Sequence, residues 1–395
     1  MSHALLAGAL VAAWPVVGQA AEWPHFRGPD FRATVTDANI KTEWDKALPL
    51  LWEREIGSAF SSFALAGGKL YTCGMKDGQQ VLYCLDPGNG KTLWERAFET
   101  EYRNEHGDGT RATPTVHDGR VYILGAHGRL LCADADSGEP FWEKQFENKP
   151  TWAYSGSVLI EGDMAVVSAG RGDGALAAFD RKSGSPIWKT GDDPVGYSTP
   201  YPFTFDGKRY IAGFTGNAAV IVGTATGREV WRTPWQTDWE VNAAMPIFHD
   251  GHLLFTSGYR TGAAVFKLKS EGDRLGADPL WQSKVLLNKF QTPVLHEGKL
   301  YTSDQRALKC VDFLTGKEEW SVARITHGPL LLADGHIILL TESGELQIGQ
   351  ASPAGFEPKT KAQILSGRCW SLPILVDGKL YARNLERAVC FDLRG

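Results

Sequence analysis

Apolar and polar residues alternate along most of this chain in short runs, and the runs recur as one unit. Between Leu82 and Trp94 an apolar stretch ends at Asp86, a turn-forming segment carries Gly90, and a second stretch carries Trp94. The alternation predicts two strands joined by a tight turn. The same spacing recurs unchanged at Asp134/Gly138/Trp142, Asp180/Gly184/Trp188 and Asp312/Gly316/Trp320, and Gly223/Gly227/Trp231 keeps it with the Asp replaced. Each position has a physical use. The Asp carboxylate accepts backbone N–H groups in the turn, the Gly takes a positive φ, and the Trp brings a large apolar surface that must be buried.

Two weaker units follow. One runs from Phe266 through a longer, charged hairpin to Trp281; the other runs from Leu346 through Gly349 and Gly355 to about Ile364 and has no Trp. The last unit breaks off after Cys390–Leu393, and its missing Trp strand stands at the other end of the chain, in Leu50–Ile56 around Trp52. Units ending at Asp86, Asp134, Asp180, Gly223, about Leu268, Asp312, about Gly349 and Asp392 make eight. A repeat of roughly 40–50 residues built from short strands predicts a β-propeller with four strands per blade. The expected fold is therefore all-β, an eight-bladed propeller of antiparallel blades, closed where the N-terminal strand joins the last blade and hides both sheet edges. Turns such as His117-Asp118-Gly119, His249-Asp250-Gly251 and His296-Glu297-Gly298 separate the first two strands of their blades, which accounts for three histidines without a metal. No helix of any length is expected.

Composition narrows this picture. The chain is 43% hydrophobic with 44 Gly and 14 Trp, which suits many short strands and tight turns. A net charge of −5 argues against a basic face for nucleic acid. Residues 1–20 read as an export signal: Ala4 to Val17 is almost wholly apolar but short for a membrane span, and small residues precede Ala21. No Cys follows at once to carry a lipid, and no other long apolar segment occurs, so a periplasmic or secreted protein is expected. Residues 21–49 form an arm, expected to pack along one face of the ring through Trp23 and Phe26, and residues 50–395 form the propeller. Cys84, Cys132, Cys310 and Cys390 each sit two residues before a repeat Asp. Equivalent positions on neighbouring blades lie about 10 Å apart, too far for a disulfide, so these are expected core residues. Cys73 and Cys369 stand outside the pattern.

Most blades begin with proline: Pro114, Pro200, Pro246, Pro293, Pro329 and Pro373, with Phe63 and Ser157 at the matching places elsewhere. The first strand of each blade lines the channel, so residues just before it ring one mouth. Three positions earlier stand Phe60, Arg111, Tyr154, Tyr197, Ala243, Phe290, Thr326 and Trp370; Gln291, His327, Ser61 and Ser371 are among those that follow, and Lys289 precedes Phe290. An aromatic rim with a few polar groups and isolated cations fits a concave ligand site, and equally fits a channel plugged by its own side chains. Glu105, His106 and Asp108, together with Asp238 and Glu240, are the acid–base candidates near this mouth. Arg260, Asp304 and Arg383 follow second strands and are expected at the opposite mouth or between blades. Asp134 and Asp136 resemble the start of a calcium loop but coincide with a repeat turn. The sequence contains no HExxH, Cys-x-x-Cys, P-loop, GxGxxG or GxSxG.

The pattern A/V/C-x-D-x-x-[TS]-G-x-x-x-W, carried at Asp134–Trp142, Asp180–Trp188 and Asp312–Trp320, and at Asp86–Trp94 with Asn89 in place of the Thr or Ser, resembles the pyrroloquinoline-quinone (PQQ) type propeller repeat. The resemblance covers nearly all of residues 50–395. It implies that Trp52, Trp94, Trp142, Trp188, Trp231, Trp281 and Trp320 dock each blade on the next. The opening from Trp23 to Pro29 resembles a group of exported PQQ-like proteins of planctomycete-type bacteria. One branch of the family comprises quinoprotein alcohol dehydrogenases, with PQQ and Ca²⁺ as cofactors, an Asp base and a pair of adjacent disulfide-bonded cysteines. This chain has no adjacent cysteines and no haem-binding Cys-x-x-Cys-His. The other branch resembles the propeller lipoprotein of the outer-membrane β-barrel assembly machinery, a scaffold without cofactor. Two functions are thus expected in competition. The first is a binding or scaffold module for a protein, a glycan or a small ligand at the mouth. The second is a quinoprotein oxidoreductase acting on an alcohol or sugar. In the second, the resemblance implies Arg111 or Lys289 on the cofactor carboxylates, Trp370 or Tyr154 stacked on the quinone, and Asp108, Asp238 or Glu240 as base or Ca²⁺ ligand.

Overall fold

A computed structural model describes residues 21–44, 47–272 and 274–394; the expected export signal lies outside these. Eight sheets are arranged as the repeat predicts. Blade 1 consists of Ala64–Ala66, Lys69–Lys76, Gln79–Leu85 and Thr92–Thr100, paired in that order and antiparallel throughout. In blade 8, Ile374–Val376, Lys379–Arg383 and Arg387–Asp392 are followed by Leu50–Glu55 from the start of the chain. Trp52 there faces Cys390, just as Trp94 faces Cys84 and Trp142 faces Cys132, so the closing strand occupies the register of an ordinary outer strand. All six cysteines are buried and unpaired.

The repeat works between blades rather than within them. Each Asp accepts N–H groups of its own turn: Asp134 from Asp136 and Ser137, Asp180 from Lys182 and Ser183, Asp312 from Thr315. The Gly of that turn then receives the Trp of the preceding blade. Gly90, Gly138, Gly184, Gly227 and Gly316 have φ of 66–74°, and a Cβ on any of them would meet the indole of Trp52, Trp94, Trp142, Trp188 or Trp281 at 2.5–2.8 Å. The indole N–H donates to a carbonyl of the same turn, as in Trp94 to Ala135 O at 3.1 Å and Trp52 to Pro87 O at 2.9 Å. Trp231 departs from this. Blade 5 replaces the tight turn by the long hairpin Gly262–Glu271/Arg274–Ser283, and Trp231 lies edge-on to Phe266 at 4.9 Å instead.

At the inner ends of the blades a second device links neighbours. The N–H groups of Ser62, Thr113, Ser157 and Met245 donate to the hydroxyls of Thr113, Ser157, Thr199 and Thr292 on the following blade, at 2.8–3.1 Å. The Ser/Thr residues before the first strands thus hold the channel wall together.

The arm does more than cover a face. Trp23 bridges Leu65, and Pro24 O accepts the N–H of Val116. Phe26 and Arg27 then cross the channel, and Thr34–Val35 adds a parallel fifth strand to blade 7 beside Leu332 and Ala333. Sequence periodicity could not show this strand, because a parallel pair of two residues has too little alternation to detect. Within the arm His25 stacks on Phe31 at 4.1 Å, and burial pushes its pKa down to about 4. The folded state therefore binds fewer protons than the unfolded one between about pH 4 and pH 6.5, and stability falls with falling pH across that window. The full shift corresponds to roughly 3 kcal/mol, and partial exposure of the ring reduces this to about 2. Denaturant midpoints measured across that window should show the slope, and His25→Phe should flatten it.

A cation-lined aromatic mouth as candidate functional site

Of the mouth residues expected from the sequence, Phe60, Arg111, Tyr197, Lys289, Phe290, Gln291 and Trp370 converge on one cavity of about 210 Å³, with Ala243 and Ser371 beside them. Phe60, Arg111, Tyr197, Phe290 and Trp370 converge because each stands at the same place before its blade's innermost strand, so the ring symmetry aims them at the axis, and Lys289 and Gln291 flank Phe290 there. Two stand apart. Tyr154 is fully buried, with its hydroxyl donating to Ala169 O at 3.0 Å and its ring against Phe146, so it belongs to the packing around blade 3. His327 sits behind the rim, stacked on Phe290 at 5.5 Å with Nδ1 3.6 Å from Glu342.

The aromatic groups are layered on each other. Trp370 packs on Phe60 at 5.4 Å and on Phe290 at 4.7 Å, and its indole N–H donates to Glu342 at 2.8 Å. Arg111 lies over Tyr102 at 4.4 Å and over Phe60 at 5.3 Å, while Nη2 donates to Gly107 O at 2.7 Å and Nη1 to Gly109 O. Burial pushes this guanidinium down to about 10, and no carboxylate touches it. Lys289 lies over Tyr259 at 5.3 Å. Burial lowers its pKa, with Glu342 opposing and Arg368 reinforcing.

Other residues complete the cavity: Asn104, His106, Trp152 and Tyr259 near the rim, and Phe26 and Arg27 at the inner end. His106 packs on Trp152 at 4.9 Å and is pushed down by burial and by the nearby cations. Tyr259 was legible in principle. Antiparallel strands return every second turn to the same face, so the turn after a second strand shares the mouth. By the same geometry Arg260 lies on the mouth side, 3.8 Å from Asp238, and not at the opposite end. Asp304 is buried within blade 6, accepting the N–H groups of Leu287, Arg306 and Ala307. Arg383 lies between blades 8 and 1. Among the described residues lining the cavity there is no Asp or Glu, against Arg27, Arg111 and Lys289. The arrangement can attract an anion and stack on an apolar or planar group.

A family model described as outer membrane protein assembly factor BamB matches residues 77–322, more than half of the chain. The chain belongs to that family. Among solved structures it resembles BamB from Moraxella catarrhalis at 15% identity and a TM-score of 0.62, covering 87% of this chain and 100% of that one. It also resembles the quinohemoprotein alcohol dehydrogenase from Comamonas testosteroni at 13% identity and a TM-score of 0.63, covering 95% and 81%. A europium-containing methanol dehydrogenase follows at 12% identity and a TM-score of 0.52, covering 92% and 89%. No curated protein sequence matches the chain. These identities show a shared PQQ-like propeller fold. No helix among the described residues is long and apolar enough to cross a membrane.

PQQ and Ca²⁺ can be tested against the mouth residue by residue. Arg111 and Lys289 suit carboxylates. Calcium is another matter, because a hard cation wants six or more oxygens at once. Glu342 is engaged with Trp370 and His327, Asp108 with the N–H of Asn104, and Asp238 with Arg260. Among the described residues no cluster of three such groups could hold a metal ion. The donor set does not fit the calcium–quinone pair.

Proposed function

We propose that this protein is an exported PQQ-like propeller of the cell envelope that works as a binding or scaffold module. Its working surface is the mouth around Arg111, Lys289, Phe60, Phe290 and Trp370. The observation that carries this reading is a cavity presenting three cations and no carboxylate beneath stacked aromatic rings. Such a surface selects a partner or ligand with an acidic group beside an apolar or planar one. It offers no carboxylate base of its own for proton abstraction. The competing reading, oxidation of an alcohol or sugar through PQQ, has the cations for the cofactor's carboxylates but not the oxygens for its metal.

Melting of the purified mature protein, followed during titration with an acidic peptide containing an aromatic residue, tests the proposal. A ligand that binds the folded state alone raises the transition by mass action. Arg111→Ala is expected to weaken that binding about tenfold, equivalent to ~1.4 kcal/mol. A saturable shift with PQQ that requires Ca²⁺, and no shift with the peptide, would instead establish the oxidoreductase.

A further inference from the structure

Phe26 and Arg27 of the arm enter the cavity, and the chemistry at Arg27 differs from that of the rim. Around the wall, the hydroxyl oxygens of Thr113, Ser157, Thr199 and Thr292 each accept a backbone N–H from the neighbouring blade. All four line the cavity. A hydroxyl carries one proton as well as its lone pairs. The oxygens are engaged as acceptors, and among the described residues none of these four hydroxyls donates to a protein acceptor, so the protons remain to be given to a guest. At the inner end lies Arg27, 2% exposed, with no carboxylate partner. Its Nε donates to Phe31 O at 2.9 Å, Nη1 to Thr292 O at 3.1 Å, and Nη2 to Arg32 O at 3.1 Å and Pro293 O at 2.8 Å. These four bonds fix the guanidinium and leave one of its five N–H groups unassigned. Burial without an anion holds its pKa down to about 10.

From this geometry we infer that the inner end of the channel is an oxyanion seat, built by Arg27 of the N-terminal arm together with the hydroxyl ring. This rests on the binding-module reading and goes further by naming the chemistry of the guest and its orientation. The guest enters with its oxyanion leading and leaves an apolar or aromatic body at the rim. Thr292 follows Phe290 by two residues, so seat and rim are separated by about 7 Å of extended chain, the length of a small aromatic acid. The four hydroxyl protons and the remaining Arg27 N–H call for an acceptor on the guest, and the charge of Arg27 favours an anion over the neutral carbonyl of an analogue. The arm is thereby part of the ligand site. A propeller of this type without such an arm would have an open channel and no seat.

The same chemistry could be supplied by a carboxylate on an aromatic body or by a free inorganic anion. Calorimetric titration of the mature protein with 4-bromobenzoate, 4-bromobenzamide and inorganic phosphate separates these sources, and bromine anomalous scattering from soaked crystals locates the bound acid. The expected result is bromobenzoate binding with its carboxylate against Arg27 and its bromine between Phe290 and Trp370. The amide should bind at least tenfold more weakly, and phosphate should compete. Phosphate alone binding at Arg27 would keep the seat and assign it to the free anion. Arg27→Met is expected to abolish the tight phase. If that variant does not fold, Thr199→Ser (hydroxyl kept) and Thr199→Val (hydroxyl lost) replace it, with binding retained only in the first. Bromobenzoate found with its carboxylate on Arg111 or Lys289 overturns the seat while leaving the mouth reading intact. Equal binding of acid and amide also overturns it, and no binding of either anion at millimolar concentration overturns the seat while the peptide titration decides the mouth separately.

Discussion

Arg383→Met is expected to lower the stability of this propeller by about 3–5 kcal/mol, read as a drop in the urea midpoint at unchanged slope. The side chain is fully buried where the last blade meets the first. Nη1 donates to Ser61 O, Thr72 Oγ1 and Cys73 O, and Nη2 to Gly57 O and Leu385 O, at 2.6–3.2 Å, while Nε reaches Asn384 O at 3.0 Å. Four of these six acceptors belong to blade 1 or the chain leading into it, so one side chain ties the two ends of the ring. No carboxylate neutralises it, and burial pushes it down to about 10. Methionine fills the volume but leaves buried carbonyls without donors, each costing roughly 1–3 kcal/mol where no water replaces the lost bond. Lysine keeps the charge but offers three donors without the planar fork, so Arg383→Lys should fall in between. A loss below about 1 kcal/mol for methionine would show that the seam is held mainly by the paired strands.

The second large effect is expected at a docking glycine. In Gly227→Ala the new Cβ would meet the Trp188 ring at 2.5 Å, at a φ of +66°. The backbone cost of that φ is about 1–2 kcal/mol, and displacing a packed indole adds about 1–3 more. Gly207 supplies the control, since its φ is +70° and nothing lies within 4 Å of its missing Cβ. Gly207→Ala should show the backbone cost alone. The difference between the two melting curves measures what the Trp–Gly contact contributes between blades 3 and 4. Equal losses would mean that the indole moves aside freely.

The fold was legible because the repeat is written in residues with strict geometric needs. A turn at φ near 70° that also receives an indole admits little besides glycine, so Gly90, Gly138, Gly184, Gly227 and Gly316 keep their spacing. The mouth was legible in register: one position per blade aims at the axis, which brought Phe60, Arg111, Tyr197, Phe290 and Trp370 together. Tyr154 broke the rule: it follows Ala153, whose φ is 68°, and its ring packs on Phe146 with the hydroxyl on Ala169 O. His106 was legible only as a charged-loop candidate and Tyr259 only from the return of the second strand to the mouth, while Trp152 came from a loop that no register reaches into. Arg27 was hidden for a different reason: a segment without alternation carries no sign of which cavity it enters. Trp239 is 62% exposed at a φ of 61°, and nothing in the structure explains it.

The outer strand of the last blade, Leu50–Glu55, is synthesised before the seven other blades, and its partner Arg387–Asp392 after them. Until then both carry unpaired backbone edges, and the early one carries Leu50 and Leu51 outward. Blades 1 to 7 can each form from local hairpins, but the ring cannot close until both of these strands are present. The free-energy gain from closure must offset the entropy of joining the two ends of the molecule. During synthesis this protein is therefore an open arc with two adhesive ends. Its main hazard is end-to-end association with another copy, and whatever shields the first strand over that interval governs the yield of closed rings.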